Sequence, residues 1–224
     1  VPGCIMFKNT STADHWVVYH RGISVPAEKA LILNQTWTED DDTYFNDTAP
    51  TSTHFTVGPK AQTNGNGNTI VAYVFAHDDA SFGTDSDESI IKCGSYTGSS
   101  SGVNINLGFE PQWVMVKRSD GTGSWYIMDT MRGFTASNDP VTLKADSADA
   151  EGGLAKYRIT STGFDWNSDS GDSGQEYIYM AIRRPHKPPT AGTEVLAISL
   201  QTPQNSWTPG FVSDSMLFTR PSSI

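Results

Sequence analysis

Residues 113–129, "WVMVKRSDGTGSWYIMD", fall into three blocks: an apolar run, a polar turn and a second apolar run. This is the pattern of a β-hairpin, in which Gly, Asp and Ser reverse a strand whose side chains are mostly buried. Near the front of the chain, "CIMFKNTSTADHWVVYH" (4–20) repeats the same blocks in the same order. Pro2 falls on Pro111, Lys8 on Lys117 and Trp16 on Trp125, a constant offset of 109 residues held without a gap. With small insertions the match continues through Arg21-Gly22 with Arg132-Gly133, Leu33 with Leu143, and Phe55 with Phe164. It closes on a Gly-rich loop feeding an aromatic strand, "NGNGNTIVAYVFA" (64–76) against "SDSGDSGQEYIYMAI" (168–182). An internal repeat of this period is the main organising fact of the chain.

The repeat extends past its second copy. "GFVSDSMLFTR" (210–220) resembles "GFEPQWVMVKR" (108–118), and "EVLAISLQTP" (194–203) parallels "IIKCGSYTG" (90–98), the lead strand of the second copy. The expected organisation is a first repeat over 1–76 cut at its front, an acidic linker over 77–89, and a second repeat over 90–184. A Pro-rich spacer over 185–193 and the start of a third repeat over 194–224 complete it. The chain therefore reads as a segment of a longer modular protein. Prolines in "RRPHKPPTAGT" block ladder pairing and favour a stiff extended spacer, whereas "AHDDASFGTDSDES" is expected to be solvated.

Within a unit, "WVMVK" is apolar on successive residues, as a strand covered on both faces requires, while "RITSTGFDW" (158–166) mixes polar and apolar residues. Facing sheets satisfy both patterns, so the predicted fold is all-β, built of tandem β-sandwich repeats of jelly-roll type. Strands are expected near 4–8, 15–20, 30–34, 53–57 and 69–76 of the first unit. Gly22, Gly121 and Gly133 are expected to supply positive φ at reversals. No window holds a helical period over three turns.

Composition narrows the class. Hydrophobic residues make up 37% of the 224, charged ones only 18%, and the net charge is −10. That charge repels phosphate backbones and anionic headgroups, so neither nucleic acid nor membrane insertion is expected. Two cysteines, Cys4 and Cys93, cannot make a disulfide framework, and buried free thiols are favoured over a single bridge.

Chemistry-bearing patterns are sparse. His15 and His20 have different occupants at the matched positions Ser124 and Asp129, and are read as surface or turn residues. His54 and His77 lack a partner at ligand spacing. There is no G-x-S-x-G, H-E-x-x-H or C-x-x-C. Carboxylates cluster in turns rather than as a pair facing one cleft, so no catalytic residue is assigned and no enzyme is expected. Asn167, Asp169 and Asp172 offer hard oxygen ligands on a Gly-rich loop, and calcium is the cofactor such a set would take; the regular spacing of a calcium loop is missing, so an ordinary acidic loop is preferred. Trp37, Tyr44 and Phe45 are candidates for stacking on a glycan or receptor, against core packing as the competing role. Trp16, Trp113, Trp125 and Phe164 are expected in the core. Sequons stand at Asn9, Asn34 and Asn46.

The ordered blocks "GFEPQWVMVKR", "GSWYIMDTMRG", "STGFDW", "YIYMAIRRP" and "PPTAGTEV", with their first-copy equivalents, are similar to a family of bacteriophage virion proteins of uncharacterised molecular function, found in phages of marine and freshwater bacteria including cyanobacteria. The resemblance implies a structural protein of the virion surface: a tail fibre or spike engaged in host attachment, or a capsid or tail decoration. It carries no assigned active site. Units repeated in a row suit avid binding, so self-association in a homo-oligomer, contacts with other virion proteins and contact with a host-surface glycan are the partners expected. An extracellular carbohydrate-binding module is the alternative reading of the same residues.

Overall fold

The apolar blocks 4–8, 17–20, 70–76, 113–117, 125–129 and 177–182 lie in strands, and every strand pairing among the described residues is antiparallel. The structure is a computed structural model that describes residues 1–82, 88–136, 140–154, 156–167 and 172–184. The first sheet holds β1 (Pro2–Asn9), β2 (Val17–His20), β3 (Lys29–Ile32), β4 (Asp40–Asp41) and β5 (Ile70–Ala76), in the order β4-β3-β2-β1-β5. A four-residue helix, α1 (Ala61–Asn64), precedes β5. The second sheet holds β6 (Ile91–Thr97), β8 (Pro111–Arg118), β9 (Trp125–Asp129), β10 (Val141–Lys144), β11 (Gly152–Gly153) and β14 (Glu176–Arg183), in the order β11-β10-β9-β8-β14-β6. The third is small: β12 (Tyr157–Thr160), β13 (Gly163–Trp166) and β7 (Val103–Asn106), ordered β12-β13-β7. The fold is therefore all-β, as the sequence predicts.

The repeat is visible in the pairing. Strands β1 to β5 correspond in order to β8, β9, β10, β11 and β14, and in both sheets the last strand returns beside the first, a Greek-key connection. Register is preserved residue by residue: Cys4 opposes His20 and Phe7 opposes Val17, while Trp113 opposes Asp129 and Val116 opposes Tyr126. Even the irregularity is copied. The ladder shifts between Pro2 and Cys4 on β1, and the second ladder shifts where Pro111 and Trp113 face Arg183 and Ile182. A bulge retained at the same step in both copies belongs to the design of the unit.

Side chains alternate across the sheets and fill three cores. Cys4, Val18 and Leu31 of the first sheet pack against Cys93, Met115, Trp125, Ile178 and Met180 of the second, so the duplicated sheets lie face to face in a sandwich-like arrangement. The outer face of the first sheet, with Ile5, Phe7, Val17 and Ile32, is covered by Tyr44, Phe45, Phe55 and Val57. The outer face of the second, with Val114, Val116, Met128 and Ala181, is covered by the third sheet through Ile105, Tyr157, Phe164 and Trp166. This is why the strands are apolar on successive residues. Residues Val1–Pro185 form one compact unit.

Polar contacts tie the two sheets together. The indole Nε1–H of Trp125 donates to the carbonyl of Ile32 at 2.9 Å, and His20 Nε2 lies 3.0 Å from the carbonyl of Tyr179. The segment before β4 joins the β8–β9 turn, with Thr38 Oγ1 and Glu39 N both donating to Ser119 O and Gly123 N donating to Thr36 O. The shared lysine also has a physical role. Lys8 Nζ donates to the carbonyls of Asn9 (2.6 Å) and Asp14 (3.2 Å), and Lys117 Nζ to those of Arg118 and Gly121. In each hairpin the lysine one residue before the end of the first strand thus donates to two carbonyls of the turn region. Burial pushes the Lys117 ammonium down to about 8.

Three expectations are corrected. Segment 53–57 is not a strand: its counterpart β13 pairs with β12 and β7, whereas Phe55 and Val57 have no such ladder partners among the described residues and pack as loop side chains instead. His20 is 1% exposed, in the core rather than at the surface. Of the three glycines expected at positive φ, only Gly133 adopts it (φ 95°); Gly22 instead brings its N–H to His20 Nδ1 at 3.1 Å. Cys4 and Cys93 are both buried free thiols, and burial pushes the Cys93 thiol up to about 12.

Gly3 sits at the bulge, where a Cβ would lie 2.7 Å from His77 Cβ and 2.8 Å from Cys93 Cβ and Sγ. Those atoms cannot yield without moving backbone, so Gly3→Ala is expected to cost roughly 1–3 kcal/mol of unfolding free energy. Urea denaturation followed by tryptophan fluorescence measures it; an unchanged midpoint would show that the bulge relaxes freely.

Candidate functional site

Where the β8–β9 hairpin meets β12, β13 and the start of β14, the second unit encloses a pocket of about 200 Å³. Tyr126, Tyr157, Trp166 and Tyr177 supply aromatic walls, and Arg118, Ser124, Lys156, Asp172 and Gln175 supply polar groups. The positions follow from local structure. Alternation on β8 and β9 turns Val116 and Tyr126 toward the third sheet, and β13 ends at Trp166, whose ring packs on Tyr96 at 5.9 Å and Tyr177 at 5.6 Å.

The polar groups form a chain. Lys156 Nζ lies 2.5 Å from Asp172 Oδ2, Tyr177 Oη donates to Asp172 Oδ1 at 3.3 Å and to Gln175 Oε1 at 2.8 Å, and Arg118 Nε holds Asp120 at 2.7 Å. Burial, followed by the Asp172 charge, pushes the Tyr177 phenol above its ordinary value, so it remains a donor at neutral pH. Trp166 is 1% exposed, and its Nε1–H has no acceptor among the described residues. A buried donor left unpaired costs free energy, which a ligand oxygen or a water could recover. Aromatic walls beside mixed donors and acceptors suit a small hydroxylated ligand. Among the described residues the lining contains one carboxylate, Asp172, and Lys156 engages it.

In the first unit the positions that match this pocket are covered. Phe7, Val17 and Ile70, counterparts of Val116, Tyr126 and Tyr177, pack under Tyr44, Phe45 and Phe55, with Phe7 ring contacts of 5.9 Å to Phe45 and 5.6 Å to Phe55. Tyr44 and Phe45 are accordingly 6% and 3% exposed and present no ring to solvent. Of the three loop aromatics singled out in the sequence, only Trp37 is exposed, at 47%. It meets His15 edge-on at 5.3 Å, and His15 Nδ1 accepts from Asn34 Nδ2 at 3.1 Å. Nearby, Trp16 stacks on Tyr73 at 6.1 Å.

The oxygen-ligand set is divided. Asp172 lines the pocket with both carboxylate oxygens engaged, Asn167 is exposed with its N–H donating to Lys156 O at 2.6 Å, and Asp169 lies outside the described residues. Among the described residues, no three His, Cys, Asp or Glu side chains converge as a metal-holding group, and no helix is long and apolar enough to cross a membrane. Arg118, Lys156, Trp166 and Tyr177 were not singled out by the sequence, because only the packing of the third sheet on the second brings them together.

Fold and site define an internally duplicated all-β protein with a ligand-sized pocket on its second copy. The chain belongs to the family described as a domain of unknown function, DUF7483, which matches residues 1–185. The match spans both copies. No curated protein and no solved structure matches the chain.

Proposed function

We propose that the chain is a structural component of a bacteriophage virion surface, an element of a tail fibre or spike that contributes to host attachment through self-association and contacts with other virion proteins. The observation that carries this reading is the copied sheet, with strand order, register and bulge repeated. Two copies of one sheet packed face to face make a stable block, and several such blocks making weak contacts together can exceed one affinity by roughly 10² to 10⁴. The virion location rests on the resemblance of the ordered sequence blocks. A capsid or tail decoration has the same requirements. A cryo-EM map of the native particle tests the reading: copies docked in regular contacts support it, and a particle lacking the chain overturns it.

The pocket favours a second reading, carbohydrate binding. A monosaccharide unit stacked against the half-buried Tyr126, with hydroxyls on Lys156, Asp172 and Tyr177, matches its size and polarity. On a glycan array the purified chain is then expected to bind a restricted set of sugars, and Tyr177→Phe, which removes one hydroxyl, to weaken binding roughly 3- to 10-fold. A blank array removes this reading, and an unaffected Tyr177→Phe variant moves the site elsewhere, with Trp37 the next position to test.

A further inference from the structure

The two copied sheets differ at one edge. In the second sheet, β14 lies between β8 and β6, with Met180 opposite Cys93, Tyr179 opposite Gly94 and Ile178 opposite Ser95. In the first, the equivalent strand β5 pairs with β1 on one side, and among the described residues no strand pairs with the other. Exposure reports the difference. Ile178, Met180 and Ala181 are 1%, 2% and 0% exposed, whereas their counterparts Val71, Tyr73 and Val74 are 37%, 49% and 50% exposed.

Edge strands of soluble proteins are usually short, charged or interrupted by proline. The far edge of this sheet is of that kind, since β4 is Asp40–Asp41. The outer edge of the second sheet, β6, carries Lys92. Strand β5, "IVAYVFA", has seven residues with no charge, no proline and no glycine. A long apolar edge of this composition is suited to receiving another strand.

The molecule itself displays the kind of strand that fits, because β6 covers the equivalent edge. The sequence contains one further segment of β6 type, "EVLAISLQTP" (194–203), which lies outside the described residues. Laid on "IIKCGSYTG" start to start, it sets Ala197 at Cys93, Ile198 at Gly94 and Ser199 at Ser95. Sizes then compensate across the pairing. Gly94 faces the large Tyr179, where a Cβ would fall 2.6 Å from the phenol oxygen, whereas Ile198 would face the small Ala72.

We propose that the free edge of β5 is the docking site for residues 194–203 of a second copy of the chain, added antiparallel in the register that β6 takes on β14. Each chain then accepts at β5 and donates from 194–203, a head-to-tail contact that propagates as a filament unless it closes into a ring. This deepens the structural reading above by naming its self-contact, and it is tested on the purified chain without reference to a particle, so the two fail separately.

The experiment combines sedimentation velocity with amide hydrogen exchange on the full chain. Wild type is expected to form concentration-dependent oligomers in the micromolar range, with β5 amides slowed at least roughly tenfold relative to a dissociated variant. Ile198→Pro removes a ladder donor from the donating strand and Val74→Lys places a charge on the accepting edge. Either is expected to yield monomers with fast-exchanging β5 amides and unchanged tryptophan fluorescence, and adding a synthetic 194–203 peptide to Ile198→Pro is expected to restore protection. A monomeric wild type with exchanging β5 overturns the proposal. So does an oligomer that survives Ile198→Pro, which would indicate β5-to-β5 pairing, or a monomer with protected β5, which would indicate closure within one chain.

Discussion

Trp125→Ala is expected to lower unfolding free energy by roughly 3–5 kcal/mol, the range for deleting a fully buried tryptophan side chain. For a chain of this size that corresponds to a fall in melting temperature of roughly 10 °C. Trp125 is 1% exposed at the centre of the core shared by the two large sheets, and its indole N–H is one of the polar links between them. Two losses therefore add: the cavity, and the shorter of the two hydrogen bonds to the Ile32 carbonyl, which keeps only the Gln35 N–H at 3.2 Å. Trp125→Phe separates them, because the ring is largely kept and the hydrogen bond lost, with an expected cost of about 1–3 kcal/mol. The repeat supplies an internal control. Trp16 occupies the same position in the first copy but lies partly exposed against Tyr73, so Trp16→Ala is expected to cost about 1 kcal/mol or less. Thermal unfolding of the three variants decides the matter; equal losses for Trp16→Ala and Trp125→Ala would mean that the shared core is not what stabilises the pair.

Acid is expected to weaken the same contact between sheets. His20 is held down to about 4 by burial, reinforced by the positive charges of Arg21 and His77 and opposed by its hydrogen bond to Tyr179. Its Nδ1 accepts from Gly22 N–H, so Nε2 carries the proton donated to the Tyr179 carbonyl and the ring is neutral. Between pH 6.5 and 4 the unfolded chain binds the proton that the folded chain refuses, so stability falls as pH falls through this window. The depressed value corresponds to about 3 kcal/mol, present in full above pH 6.5 and lost by pH 4. His77, lowered mainly by burial, contributes with the same sign. His20→Leu is expected to be less stable at pH 7, because two backbone groups lose their partner, and to show a shallower decline toward pH 4. Urea midpoints measured at half-unit steps test this, and a variant with the wild-type slope would assign the acid sensitivity to other groups.

The covering layers account for where sequence reading of the site stops. Phe55 and Phe164 occupy matched positions in the sequence, and both pack over the outer face of their sheet. Only Phe164 stands in a strand, because β7 and β12 flank it. Tyr44 and Phe45 have the composition of an exposed aromatic loop, yet they are drawn inward to cover Phe7 and Val17. The pocket is the counterpart of that difference. Its walls come from residues between Val116 and Tyr177, and no local pattern marks Trp166 or Lys156 as neighbours of Arg118.

The sequence by itself determined the all-β class, the strands near 4–8, 15–20, 30–34 and 69–76, and the offset of 109 residues that relates β1 and β2 to β8 and β9; it missed at 53–57, and at β10, where Leu143 takes the place of Leu31 rather than Leu33. Those features depend on side-chain alternation, turn residues and a constant offset, all of which are local or periodic. Tertiary structure alone decided that the two sheets face each other, that His20 is buried between them, that the second copy keeps a pocket at positions which are covered in the first, and that β5 has one strand partner among the described residues. Each of these depends on which layer covers which face, and burial is a property of the partner that arrives from a distant part of the chain.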